Sequence, residues 1–109
     1  MLEGWQDIDA KRLLKEMDAG LVQPRQIVDV RELPEWEYYR MEGTTHIPMN
    51  TIPDHWDRLS TVQPLYIICA HGVRSVAVCR YLSERGHSGL RNVSGGMAAV
   101  ASLKGFQYD

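Results

Sequence analysis

The stretch Leu65-Tyr66-Ile67-Ile68-Cys69-Ala70-His71-Gly72-Val73-Arg74-Ser75 carries the strongest structural signal in this chain. Its first five residues are apolar almost throughout, which is typical of a central parallel strand covered on both faces. The residues that follow predict a helix over Val73–Arg85, which Gly86 would end. A strand that passes through a short loop into a helix is the repeating step of an α/β fold, so the stretch predicts a parallel sheet.

The same alternation of strand and helix continues on both sides of this stretch. With Leu65–Cys69, short apolar runs predict strands at Ile27–Val30, Thr45–Ile47 and Leu90–Val93. Further helices are predicted over Ala10–Ala19, Glu35–Glu42, a turn or two at Asp54–Leu59, and a last helix after Gly95-Gly96. The pattern predicts one α/β domain over residues 1–109 with right-handed crossovers.

Composition narrows the classes of function that this domain could serve. The chain has 109 residues, of which 44% are hydrophobic and 24% charged, and its net charge is −2. This balance is that of a globular domain, and it has no basic excess that would attract nucleic acid. No apolar run approaches the ~18 residues of a membrane span, and the acidic N-terminal region is unlike a secretory signal. We therefore expect a cytoplasmic protein with no membrane or nucleic-acid partner, whose two cysteines stay reduced.

Cys69 is predicted to lie where a buried strand ends and a loop leads into a helix. In open α/β sheets, functional groups gather at the carboxyl ends of strands. A loop that turns back onto a helix N-terminus directs backbone N–H groups and the positive end of the helix dipole at its centre. Gly72 permits a backbone conformation that a Cβ would disfavour. These features predict an ionised, nucleophilic thiol at Cys69 rather than a cysteine that only fills the core.

The other loop residues complete this predicted anion-binding site. The fork of Arg74 can pair with an acidic residue or contact an anionic substrate. The Ser75 hydroxyl can bond the backbone or the thiolate, and His71 either tunes the thiolate or is merely exposed. The predicted site comprises Cys69 and the loop residues Ala70, His71, Gly72, Val73, Arg74 and Ser75.

This segment resembles the active loop of the rhodanese-like domain family, Cys-x-x-Gly-x-Arg-Ser, at Cys69, Gly72, Arg74 and Ser75. The resemblance covers most of the chain. It includes the four further blocks Asp29-Val30-Arg31, Glu35–Tyr39, His46-Ile47-Pro48 and Gly95-Gly96-Met97. It implies a three-layer α/β/α fold around a central parallel sheet of about five strands.

The resemblance also implies a sulfurtransferase. Cys69 would take sulfane sulfur from a donor, either thiosulfate or a protein persulfide, and become a persulfide itself. It would then pass the outer sulfur to cyanide or a thiol, which includes a thiol of a sulfur-relay protein partner. No cofactor is implied. Ala70 and Val73 are apolar, so Arg74 and His71 are the only side chains that bring positive charge, and thiosulfate is expected to replace the physiological donor poorly.

Two other functions stay open at this point. Cysteine-dependent phosphatases and arsenate reductases also end an anion loop in arginine, but with five residues between cysteine and arginine instead of the four from Ala70 to Val73. A non-catalytic interaction module is the second alternative, although related modules typically lack the cysteine. A metal site is not expected, because no histidine or cysteine pair has ligand spacing.

Residues outside the loop receive mostly structural interpretations. Asp29 and Arg31 are supporting residues, interpreted as an ion pair or a hydrogen-bonded turn. Cys79 recurs at helical spacing with buried positions, so core packing is favoured over a resolving thiol. Side chains with other structural roles are His46, which would hold the loop around Pro48, and Trp36, Tyr38 and Tyr39, which would pack a helix on the sheet. The expected surface residues are His55, His87 and the frayed end Gln107-Tyr108-Asp109.

Overall fold

A computed structural model describes residues 4–108 of the chain. Five strands form one all-parallel sheet in the order β1-β5-β4-β2-β3. The strands are β1 (Trp5–Asp9), β2 (Ile27–Asp29), β3 (Thr45–His46), β4 (Leu65–Ile68) and β5 (Leu90–Ser94). The helices are α1 (Ala10–Asp18), α2 (Leu33–Tyr38), α3 (Arg74–Glu84) and α4 (Gly96–Leu103). The predicted α/β class and the five-stranded parallel sheet are confirmed.

The alternation of side chains along β4 separates two hydrophobic cores, one on each face of the sheet. Tyr66 and Ile68 face the core that α1 and α4 cover. Leu65 and Ile67 face the opposite core, which α3 covers, and Cys69 continues that alternation. The fold is therefore three layers, and the Cys69 side chain points toward α3.

Most predicted boundaries move by one residue, and those of the second helix move further. The central strand ends at Ile68, so Cys69 belongs to the loop, and α3 begins at Arg74. The second helix spans Leu33–Tyr38 instead of Glu35–Glu42. The chain becomes extended at Tyr39, whose carbonyl oxygen accepts a hydrogen bond from the buried Arg31 guanidinium.

Strand β1 is absent from the sequence-based prediction, which places only four strands. It lies at the edge of the sheet and pairs with β5 alone, with Asp7 opposite Asn92. Only Ile8 of its five residues is buried, so the strand lacks the continuous apolar run that identifies its neighbours.

Two surface assignments are also wrong. His87 is 6% exposed, and its Nε2 bonds the carbonyl oxygen of Trp56. Tyr108 is not frayed, since its hydroxyl accepts a hydrogen bond from Arg31 and its carbonyl oxygen accepts one from Tyr38. Asp109 lies outside the described residues. No helix within residues 4–108 has the length and apolar character to cross a membrane.

Candidate active site

The Cys69 sulfur lies at the focus of the loop that joins β4 to α3. The side chain is buried, and Sγ accepts hydrogen bonds from the backbone N–H groups of Gly72 at 3.1 Å and Ser75 at 3.3 Å. The Ser75 hydroxyl oxygen is also 3.3 Å from Sγ. Since Ser75 lies in the first turn of α3, the sulfur sits at the positive end of that helix.

These donors determine the ionisation of Cys69. Burial by itself raises the pKa of the thiol, because it removes water from the thiolate. The Ser75 hydroxyl acts in the opposite direction when its proton faces the sulfur, and so do the backbone N–H groups of Ser75, Gly72 and His71. The net result is a pKa below the ordinary value of a cysteine, which favours the nucleophilic thiolate.

The loop is held from behind by the N-terminus of α4. The N–H groups of Met97 and Ala98 donate to the carbonyl oxygens of Cys69 at 2.8 Å and Ala70 at 2.9 Å. This approach needs glycine at position 96, where φ is +61° and an added Cβ would lie 2.5 Å from the Cys69 carbonyl oxygen. Two helix N-termini thus act together: α3 faces the sulfur, and α4 fixes the peptide that carries it.

Arg74 does not contact the sulfur but forms a two-pronged ion pair with Glu35 of α2. Its Nη1 and Nη2 lie 2.9 and 2.7 Å from Oε2 and Oε1. The hydrogen bonds from Arg74 lower the pKa of Glu35 to about 2, despite partial burial that acts the other way. The positive charge of Arg74 is therefore balanced by the fixed Glu35 carboxylate. The sequence alone did not identify Glu35 as the partner of Arg74.

Asp29 and Arg31 form the predicted ion pair in the core, and both side chains are fully buried. Arg31 Nη2 lies 2.7 Å from Asp29 Oδ2, and Nε lies 2.9 Å from Oδ1. Arg31 also donates to the carbonyl oxygen of Glu35. The pair thus anchors α2, and α2 in turn places Glu35 next to Arg74. Asp29 and Arg31 therefore affect the loop indirectly, through Glu35.

Ala70, His71 and Val73 are the remaining residues of the predicted loop. Ala70 is buried, whereas Val73 is 77% exposed. The His71 ring meets the Tyr108 ring edge to face, with their centroids 6.1 Å apart. His46 holds the neighbouring segment as expected, because Nε2 lies 2.8 Å from the Arg31 carbonyl oxygen, and Trp36 stacks on its ring.

Two polar residues that the sequence did not single out extend the site through the sheet. Ser75 Oγ lies 2.5 Å from Asn92 Oδ1, and Asn92 Nδ2 lies 3.0 Å from Asp7 Oδ1. Asn92 is 3% exposed. Asp7 and Asn92 are brought together by the pairing of β1 with β5, and the sequence alone did not predict that pairing.

Cys79 is a core residue, as predicted. It is fully buried between α3 and the sheet, and burial raises its pKa to about 12. Both cysteines are free thiols. Within the described part of the chain, no cluster of three or more histidine, cysteine or acidic side chains could hold a metal ion.

Known proteins resemble this chain in both sequence and fold. The family model described as Rhodanese-like domain matches residues 9–103. YtwF of Bacillus subtilis is 38% identical over 73 residues, which are 67% of this chain and 70% of that protein. Thiosulfate sulfurtransferase GlpE of Actinobacillus succinogenes is 27% identical over 70 residues, or 64% of this chain and 63% of GlpE. The crystal structure of a rhodanese-like domain protein from Staphylococcus aureus has a TM-score of 0.79 and 37% identity, and the match covers 87% of this chain and 90% of that one.

Proposed function

Because this chain belongs to the rhodanese-like domain family, we propose that it is a sulfurtransferase in which Cys69 carries sulfane sulfur as a persulfide. The observation that carries the proposal is the set of N–H donors around the Cys69 sulfur, which lower the pKa of its thiol. A thiolate held in this way is both a nucleophile and a good leaving group. Sulfur transfer needs both properties at the same atom.

In the first half-reaction, an electron pair of the Cys69 thiolate forms a bond to the outer sulfur of a donor. With thiosulfate, the donor's S–S bond breaks and its electron pair leaves with sulfite. The loop N–H groups, including those of Gly72 and Ser75, would stabilise the negative persulfide. In the second half-reaction, a thiolate or cyanide attacks the outer sulfur, and the Cys69 thiolate leaves.

The surroundings of the loop favour a donor that carries little negative charge. Arg74 is balanced by Glu35, so it offers less attraction to a dianion than a free arginine would. Val73 exposes an apolar side chain beside the loop. We therefore propose a low-molecular-weight or protein persulfide as the preferred donor, with thiosulfate as a poorer substitute and a thiol of a sulfur-relay protein as one acceptor. Two reduced cysteines suit a cytoplasmic setting for this chemistry.

Intact-protein mass spectrometry after incubation with thiosulfate, and separately with the less charged cysteine persulfide, tests this function. Wild type and Cys79→Ser should gain one sulfur atom that cyanide removes, whereas Cys69→Ser should gain none. The gain should be greater with cysteine persulfide than with thiosulfate at equal concentration. If neither donor loads Cys69, the chain is better explained as an interaction module of the same fold.

A further inference from the structure

A chain of three polar side chains leads from the Cys69 sulfur to the edge of the sheet. Ser75 lies next to Sγ, Asn92 of β5 lies behind Ser75, and Asp7 of β1 lies behind Asn92. Ser75 and Asn92 are buried, whereas Asp7 is exposed. The chain therefore connects the buried sulfur to a residue at the surface.

Chemistry fixes the direction of each hydrogen bond in this chain. The Asp7 carboxylate can only accept, so the Asn92 atom that faces it must be the amide nitrogen Nδ2. Asn92 Oδ1 is then turned toward Ser75, and an amide oxygen can also only accept. The single proton of the Ser75 hydroxyl must point to Asn92, and the hydroxyl presents a lone pair to Sγ.

This direction suits an uncharged Cys69 sulfur and opposes a charged one. A thiol can donate its proton to the Ser75 lone pair, as the 3.3 Å contact allows. A thiolate needs the hydroxyl proton for itself, and taking it would leave Asn92 Oδ1 buried without its donor. One proton thus has two competing acceptors, Asn92 and the Cys69 thiolate.

We propose that Asn92 and Asp7 are positioning residues that withhold the Ser75 proton from the Cys69 thiolate and thereby favour the sulfur-loaded form of the protein. In a persulfide, the negative charge lies mainly on the outer sulfur, so Sγ no longer competes for the hydroxyl proton. Asn92 Oδ1 then keeps its hydrogen bond from the Ser75 hydroxyl, and the sulfur loses no stabilisation. Free thiolate is made less stable relative to persulfide, which raises the equilibrium occupancy of the carrier. This consequence rests on the proposed sulfur transfer, whereas the effect on the thiolate does not.

The other titratable side chains around the sulfur are the same in wild type and in the Asp7 variants that test this proposal. Arg74 and Cys79 of α3 interact electrostatically with Cys69, and Glu35 of α2 balances Arg74. Other titratable groups around the loop include His71, Tyr108 and the buried pair Asp29–Arg31. Variants at Asp7 leave all of them in place.

The test measures the rate of Cys69 alkylation by iodoacetamide against pH, since the midpoint reports the pKa of the thiol. Asp7→Ala removes the acceptor that orients Asn92, so the amide can turn over and release the Ser75 proton to the thiolate. We expect the midpoint to fall by about one pH unit, as for one added hydrogen bond to an anion. Asn92→Ala should act in the same direction.

Asp7→Asn provides the matched control, because it removes the charge of Asp7 but keeps an oxygen that accepts from Asn92 Nδ2. Its midpoint should stay near that of wild type. In a Ser75→Ala background, Asp7→Ala should shift the midpoint no more than Asp7→Asn does. An equal shift in Asp7→Ala and Asp7→Asn, or a full shift that persists without the Ser75 hydroxyl, would overturn the proposal in favour of a simple charge effect.

The effect on sulfur loading is measured separately, at a pH above the midpoints of all variants and at a fixed ratio of thiosulfate to sulfite. The loading constant of Asp7→Ala should be lower than that of Asp7→Asn by about tenfold, the same factor by which its thiolate is stabilised. Equal loading constants in the two variants would overturn the claim that Asn92 and Asp7 favour the sulfur-loaded form. If wild type does not load at all, the proposed function fails, while the alkylation result still decides the role of Asn92 and Asp7.

Discussion

Glu35 lies outside the Cys69 loop, yet it fixes the arginine that closes the loop. The sequence motif identified Arg74, because the residue spacing around Cys69 is local. It could not identify Glu35 as the partner, because the two residues are 39 positions apart and meet only when α2 packs beside the loop. Cys69, Gly72, Arg74 and Ser75 were thus predictable from the sequence, whereas the contacts that set their charge were not.

The Glu35–Arg74 pair predicts a pH-dependent stability. The pKa of Glu35 is lowered from 4.5 to about 2 in the folded chain, so its stabilisation is complete above about pH 4.5 and is lost as the pH falls toward 2. Glu35→Gln should be less stable than wild type by about 1 kcal/mol at pH 7, since both side chains are about one-third exposed to screening solvent. Urea unfolding from pH 7 to pH 2.5 should show this difference shrinking.

Glu16→Gln is the control for this prediction, because it removes a carboxylate from the exposed pair that Glu16 forms with Arg12 in α1. Its effect on the free energy of unfolding at pH 7 should be smaller than that of Glu35→Gln. A difference between wild type and Glu35→Gln that stays constant from pH 7 to pH 2.5 would contradict the assignment of the shift to Arg74.

At the scale of elements, α4 and β1 show what local sequence can and cannot predict. The double glycine before α4 was visible as a helix start, but its closeness to the Cys69 peptide is a contact between distant elements. β1 escaped prediction because an edge strand with one buried residue resembles a polar segment. Because β1 was not predicted, the role of Asp7 and the chain of polar side chains behind the sulfur were not predicted either.

Gly96→Ala should disturb both stability and the reactivity of Cys69. The added Cβ would lie 2.5–2.6 Å from backbone atoms of Cys69 and Ala70, at a φ of +61°. We expect the free energy of unfolding to fall by at least roughly 3 kcal/mol, because backbone strain and overpacking add together. The alkylation of Cys69 at pH 7 should also slow, since the loop must move away from α4.

Gly20→Ala separates backbone strain from the clash. Gly20 has a similar φ of +76°, but an added Cβ there meets nothing within 4 Å. Its cost should be only about 1–2 kcal/mol, with no change in Cys69 alkylation. Equal losses of stability in the two variants would show that the contact between α4 and the loop is unimportant.

At the scale of the whole molecule, the C-terminal segment closes one side of the site. The Tyr108 hydroxyl accepts a hydrogen bond from Arg31, and its carbonyl oxygen accepts one from the Tyr38 hydroxyl. Its ring packs against the His71 ring. The sequence alone predicts a frayed end here, because terminal residues usually make few contacts. The aromatic residues that hold it come from α2 and from the segment after α4, so only the assembled fold brings them together.

Tyr108→Ala should open this side of the loop. We expect faster alkylation of Cys69 by a bulky maleimide relative to iodoacetamide, and a loss of about 2 kcal/mol in the free energy of unfolding from the missing ring contacts. Tyr108→Phe keeps the ring and loses only the bond from Arg31, so its reagent selectivity should match wild type. The same selectivity in Tyr108→Ala and wild type would place the tail away from the path to the sulfur.

The strand order has a consequence for how the chain is made. β5 lies between β1 and β4, so β1 has no neighbouring strand to pair with until Leu90–Ser94, which is made later, has emerged from the ribosome. The peptide of Cys69 likewise waits for the amides of Met97 and Ala98. We expect nascent chains that stop before residue 90 to lack the activated thiol. Synthesis itself would then delay the appearance of a reactive sulfur until most of the domain around it has been made.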